Sequence, residues 1–285
     1  MDLRAPFVGS EALSAGVLNR HQLRTRYRAV FPDVYLSRGS PLTLPQRTSA
    51  AWLWSRRQAT VAGLAAAAVY GTKWIDADVV VDLVHANPRP PQGIRTRRAV
   101  LLDGERQIVN GYAVTSPART AFDLGREGTV VQAVARLDAH TRATGLRSGD
   151  VAELAARHPG VRGLRQLETV LDLVDAGAES PRETWLRLLL IRAGMPRPRT
   201  QIPVLGADGA AFAYLDMGWE ECMVAVEYDG EHHQTNRWVY TRDVRRAEKV
   251  DAAGWLVVRV VKEDHPVDIV RRVRQARALR LASVS

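Results

Sequence analysis

The sequence predicts an α/β (α+β) fold in three parts, and three observations carry that reading. Apolar residues at helical spacing open the chain and run into a basic, hairpin-like stretch. The middle mixes helical segments with short β-branched runs. The final third reads helix, three strands, helix, strand, helix, the order of a mixed sheet flanked by helices.

In the first part, placed at 1–45, Leu13, Val17, Leu18 and Leu23 repeat at helical spacing. Asn19 is positioned to cap a helix beginning Arg20-His21-Gln22-Leu23-Arg24. Tyr27 to Leu36 reads as two short strands turning at Pro32-Asp33. Helices followed by a basic hairpin describe a winged helix-turn-helix. In the second part, 46–176, helices are expected over Gln46–Arg57 and over the Ala-rich Thr60–Tyr70, closed by Gly71. Strands are expected at Val79–Val84, Val100–Leu102 and Gly111–Val114. Ser116 caps a helix with Pro117 in its first turn, and helices follow over Val130–Thr144 and Gly163–Ala176. Ala176-Gly177-Ala178 reads as a linker. The third part, 177–285, opens with a helix from Arg182 to Ala193, capped by Ser180-Pro181. Strands Thr200–Val204, Ala211–Gly218 and Cys222–Tyr228 come next, then a helix over Tyr240–Ala253, a strand over Trp255–Val261 and a helix from Val267 to Leu281.

Composition narrows the function classes. The 285 residues carry 40 basic and 31 acidic side chains, a formal charge of +9. Thirty-seven of the bases are Arg, the side chain best matched to phosphate. Residues 1–175 hold 23 basic and 16 acidic residues, and the remainder 17 and 15, so the excess sits in the first two thirds. Nucleic acid is the leading partner class. No apolar run is long enough to span a membrane, and the opening residues lack the apolar block of a secretory signal. The single Cys222 excludes an internal disulfide and a Cys-ligated zinc site, which points to a reducing compartment, the cytoplasm.

Chemistry concentrates between Asp216 and Arg259. Asp216 ends one expected strand, and Glu227 and Asp229 end the next, two residues apart and therefore on one face. Val224, Ala225 and Val226 mark that strand as buried, and acids delivered by a buried strand need a partner or a metal. Oxygen ligands suit Mg²⁺, with Mn²⁺ as the alternative. His232 and His233 follow, and either is chemically suited to act as a general base. The competing reading is a set of structural ion pairs, with Arg242, Arg245, Arg246 and Arg259 as available counter-ions.

These residues resemble the PD-(D/E)xK nuclease superfamily, and more closely the branch related to very-short-patch-repair endonucleases. Glu227-Tyr228-Asp229-Gly230-Glu231-His232-His233 is similar to that branch's Glu-x-Asp-Gly-x-x-His signature. Arg242-Asp243-Val244-Arg245-Arg246 resembles its Asp-x-x-Arg helix, and Gly254 to Arg259 its closing strand. The likeness covers about 178–280. It implies a restriction-endonuclease-like domain with Asp216, Glu227 and the helix residue Glu183 holding metal. Asp216, Glu227, Asp229 and His233 would be the catalytic set, with His233 as base. The pattern departs in one place: Asp229 stands where that superfamily has Lys. His233 would substitute for the Lys, or the domain is a scaffold without turnover.

Residues 5–145 resemble abortive-infection type IV antitoxins. The match lies in Thr115-Ser116-Pro117-Ala118-Arg119-Thr120-Ala121-Phe122-Asp123-Leu124, in Val17 to Leu23, and in the helix ending Tyr70-Gly71. The resemblance implies that the helix from Arg20 enters the major groove of double-stranded DNA, with Arg20, His21, Gln22 and Arg24 at bases or phosphates. Arg26 and Arg28 are placed at the wing. Arg119 and Asp123, at i and i+4, are expected to be structural. The same resemblance brings a toxin partner and a non-catalytic regulator or antitoxin into consideration. An RNA-directed nuclease or binder is a third reading.

Overall fold

A computed structural model describes residues 2–230 and 237–284, with the backbone alone for 237–242 and 283–284. It is α+β, and it divides into two compact units, Met1–Asp172 and Leu173–Ser285. Among the described residues no helix is long and apolar enough to cross a membrane.

The first unit opens with β1 (Phe7–Val8), α1 (Gly9–Ser14) and α2 (Arg20–Arg26), then the hairpin β2 (Tyr27–Phe31) and β3 (Val34–Ser37). The three strands form an antiparallel sheet in the order β1-β3-β2. Asn19 caps α2 as its sequence position suggests: its side chain accepts from the Gln22 N–H, and Gln22 Oε1 accepts from the Asn19 N–H. Asp33 makes the hairpin turn at φ +60° and accepts from the Ser10 N–H, which ties the turn to the start of α1.

A five-stranded sheet follows, ordered β6-β5-β4-β8-β7. Its strands are β4 (Thr60–Ala62), β5 (Val81–Val84), β6 (Ile94–Arg97), β7 (Arg106–Val109) and β8 (Tyr112–Thr115). Helices α3 (Leu44–Trp54) and α4 (Gly63–Val69) pack against it through Ala50, Ala51, Ala65 and Ala66. The single helix expected over Thr60–Tyr70 is therefore a central strand followed by a helix. Thr60 and Val61 are β-branched and fully enclosed. Gly63 turns the chain at φ +59°, where any Cβ would collide with the Asp82 carboxylate. The expected strand at Val100–Leu102 is absent; Val100 is exposed, and the pairing falls to β6 and β7 on either side. The unit closes with α5 (Pro117–Gly125), α6 (Val130–Thr144), α7 (Ser148–Ala156) and α8 (Leu164–Leu173). Helix α7 was not anticipated, and α8 is shorter than expected.

The second unit holds α9 (Pro181–Arg192), β9 (Arg199–Leu205), β10 (Ala211–Trp219), β11 (Val224–Tyr228), α10 (Arg237–Ala252), β12 (Leu256–Val260) and α11 (Pro266–Val284). The sheet order is β12-β11-β10-β9, with β11 and β12 parallel and the other pairs antiparallel. Leu186 and Leu190 of α9 and Ile269 and Val273 of α11 join Val224, Val226 and Val260 in one core. Val250 of α10 and Trp255 join Ile202, Leu215 and Ala225 in another. The mixed sheet thus carries apolar residues on both faces, which is why its strands read as near-continuous hydrophobic runs.

Candidate functional site: an acid cluster at the centre of the second unit

Strands β10 and β11 meet through the pairing Met217↔Val226, which sets Asp216 and Glu227 beside one another at the end of the ladder. Two residues beyond Asp216, a Cβ on Gly218 would collide with the Val224 carbonyl, so glycine is required for the two strands to close here. Asp216 Oδ2 accepts the Tyr228 backbone N–H at 2.8 Å. Glu183 lies in the first turn of α9, capped by Ser180, and is 8% exposed. Its Oε2 accepts the Glu179 N–H at 2.8 Å.

Burial pushes the Asp216 carboxyl up to about 7, helped by the charges of Glu183 and Glu227 and opposed by the Tyr228 N–H and the Arg246 charge. Three sequence-predicted acids are therefore electrostatically in one place. Asp229 is not with them in the same sense: it is exposed, past the end of β11, where its N–H donates to the Val260 carbonyl at 2.8 Å. His232 and His233 lie outside the described residues, as does the side chain of Arg242.

Of the candidate counter-ions whose side chains are described, Arg246 is the one bonded to the cluster. Its Nη2 is 2.8 Å from Glu227 Oε1 and 2.6 Å from the Tyr214 carbonyl oxygen. Arg245 and Arg259 are exposed. Sequence reasoning left Arg246 as one name among four. The missing signal was register: Arg246 lies one helical turn before Val250, which packs on the same sheet.

Among the described residues no three His, Cys, Asp or Glu side chains are grouped closely enough to hold a metal ion by themselves. The donor set nevertheless fits a hard divalent cation. Mg²⁺ binds through one or two carboxylates and keeps several waters. A buried carboxyl raised to about 7 beside two other acids is one whose ionised form such a cation would stabilise.

In the first unit, Arg20, His21, Arg24 and Arg26 are exposed on α2. Two expectations change here. Gln22 Oε1 is engaged in the helix cap, and Arg26 is the last residue of α2, not part of the wing. Arg28 is on β2, half-buried, and donates to the Ser40 carbonyl at 2.8 Å. Arg119 is structural as expected, at 3.1 Å from Asp123 and 2.6 Å from Glu105.

Two Mycobacterium tuberculosis proteins, MT2308 of strain CDC 1551 / Oshkosh and Rv2248 of strain ATCC 25618 / H37Rv, are each 32% identical to this chain over 222 residues. The alignment covers 76% of this chain and 78% of each relative. Both carry the description "uncharacterized protein". No family model matches the chain. No solved structure gives a significant match.

Proposed function

We propose that this chain, which belongs to one family with the two mycobacterial proteins, is a cytoplasmic DNA-binding protein whose second unit hydrolyses DNA phosphodiesters with Mg²⁺ or Mn²⁺. The observation that carries the reading is the convergence of Asp216, Glu227 and Glu183, with Asp216 held near neutrality by burial and by its acidic neighbours. It is supported by the resemblance of the Glu227-to-His233 stretch to the repair-endonuclease branch.

Asp216 and Glu227 would hold the cation, with Glu183 adding charge from α9. The bound ion would stabilise charge developing on the phosphate and lower the pKa of an attacking water. Burial keeps water from screening these carboxylates, and the Tyr228 N–H fixes the orientation of Asp216. His233 is the candidate base. In the first unit, the exposed Arg20, His21, Arg24 and Arg26 would meet the phosphates and base edges of a duplex.

Plasmid cleavage in Mg²⁺ or Mn²⁺ tests the proposal. Cleavage by the wild type that is lost in both Asp216→Ala and Glu227→Ala is expected. Cleavage that persists in both variants, or none by any protein with duplex binding intact, rejects it.

Two observations favour a second reading, a non-catalytic DNA-binding regulator or antitoxin with a toxin partner. Asp229 takes the place of the superfamily's Lys, and the Arg246 guanidinium already neutralises Glu227.

A further inference from the structure

We infer that Arg246 is an exchangeable counter-ion of the acid cluster: it holds Glu227 while no cation is bound, and passes to a phosphate of the nucleic acid once one is. The inference rests on the proposed cation site and goes beyond it by naming the positive charge that β11 lacks. A single nitrogen, Nη2, makes both bonds of Arg246, to Glu227 Oε1 at 2.8 Å and to the Tyr214 carbonyl at 2.6 Å. Among the described residues Nε and Nη1 make no hydrogen bond, so most of the guanidinium fork is uncommitted within the fold. The Arg246 side chain is 34% exposed against 13% for Glu227, so the cation of the pair is the more solvent-facing member.

A divalent ion and a guanidinium compete for the same carboxylate. Two like charges a few ångströms apart in a poorly screened site repel, so an ion on Glu227 displaces Arg246. A displaced, planar guanidinium is matched to a phosphate, which it binds through two parallel N–H···O bonds. The exchange would make cation and nucleic acid arrive as a charge-balanced pair. A purely structural Arg246, pinning α10 to β10 through Tyr214, makes a different prediction: its loss would lower stability and leave cation affinity alone.

Mn²⁺ binding to the full chain, read by the electron paramagnetic resonance of the free ion, separates these. Arg246→Gln is expected to bind Mn²⁺ about tenfold more tightly than the wild type, because Glu227 has lost its competitor. With Ca²⁺ present, the same variant should lower the slope of log duplex affinity against log salt by about 0.9, one phosphate contact. Arg246→Lys should restore both values towards wild type. Glu227→Gln supplies a second arm, since it frees Arg246 without touching it. Without any divalent ion it should bind a short duplex several-fold more tightly than wild type, a gain of about one phosphate contact. Wild-type Mn²⁺ binding that Arg246→Gln leaves unchanged or weakens overturns the exchange and leaves the cation site standing. Failure of Glu227→Gln to tighten cation-free duplex binding overturns it as well. Absence of Mn²⁺ binding in wild type and variants alike overturns the exchange together with the proposed function.

Discussion

Each unit contains buried acids, and the two sets are handled in opposite ways. In the first unit Glu105 and Asp123 are 1% and 2% exposed. Glu105 accepts from Arg119 Nη1 at 2.6 Å and lies 2.7 Å from His158 Nε2; Asp123 is bonded to Arg119 and to Arg126 at 2.7 Å. Burial alone would push the Glu105 carboxyl up, but the hydrogen bonds of His158 and Arg119 outweigh it and hold the group below the usual carboxylate range. In the second unit Asp216 has a backbone N–H in place of a guanidinium and acids as neighbours, and it is pushed up to about 7. The difference teaches how counter-charge decides which way burial moves a carboxyl. The first set has a counter-charge on each acid; the second shares one, Arg246 on Glu227, and leaves Asp216 favouring its protonated form.

The largest effect is expected at the unbalanced set. Asp216→Ala should reduce metal-dependent DNA cleavage by about 10³-fold, the upper size of a lost electrostatic contact in a transition state, with little loss of duplex affinity. Initial cleavage rates and a gel-shift control measure both. At the balanced set the loss should be stability instead. Arg119→Ala strands Glu105 and Asp123 and should destabilise the fold by about 3–5 kcal/mol, read by denaturant unfolding, with cleavage intact at temperatures where the protein remains folded.

The pH dependence separates the two sets further. Burial raises the Asp216 carboxyl from the ordinary aspartate value of 3.8 to about 7 in the folded state, so the folded state binds the proton more tightly than the unfolded chain does. Its contribution is full below about pH 4 and is lost as the pH rises through 7. Asp216→Asn should therefore be more stable than wild type above pH 7, by up to about 4 kcal/mol, with the difference closing near pH 4. A difference that grows towards low pH would place Asp216 with the salt-bridged acids. The smallest effect belongs to α2: Arg20→Ala with Arg24→Ala should lower the salt slope of duplex binding by about 2, whereas Arg28→Ala should leave it unchanged because that guanidinium is spent on Ser40.

Much of this arrangement was legible in the sequence because it rests on local rules. Asn19, Ser116 and Ser180 are capping residues in front of helical segments, and all three caps form. The alternating and continuous apolar runs of the second unit located β9 to β12 within a residue or two at most ends. Long-range effects were not legible. Thr60 to Ala62 run straight into an Ala-rich helix, and pairing with the distant β5 and β8 is what makes them a strand. Val100 to Leu102 have the composition of a strand but find no partner, and Val100 instead offers its carbonyl to Arg119 at 2.9 Å. At the site, the acids were visible by spacing. The choice of Arg246 over its neighbours was not, because it depends on how α10 is rotated against the sheet. The use of Gln22 in its own helix cap was legible as well, in the Asn19-x-x-Gln22 spacing of a capping box, which competes with its expected place at the DNA.

Thermal unfolding at pH 8, with and without millimolar Mn²⁺, tests the contrast between the two sets most directly. Wild-type protein should melt at a higher temperature in Mn²⁺, as any ion that binds the folded state alone requires, and Asp216→Asn should lose most of that shift. An equal shift in both proteins, or none in the wild type, would contradict a cation site at Asp216 and would return its acids to the company of Glu105 and Asp123.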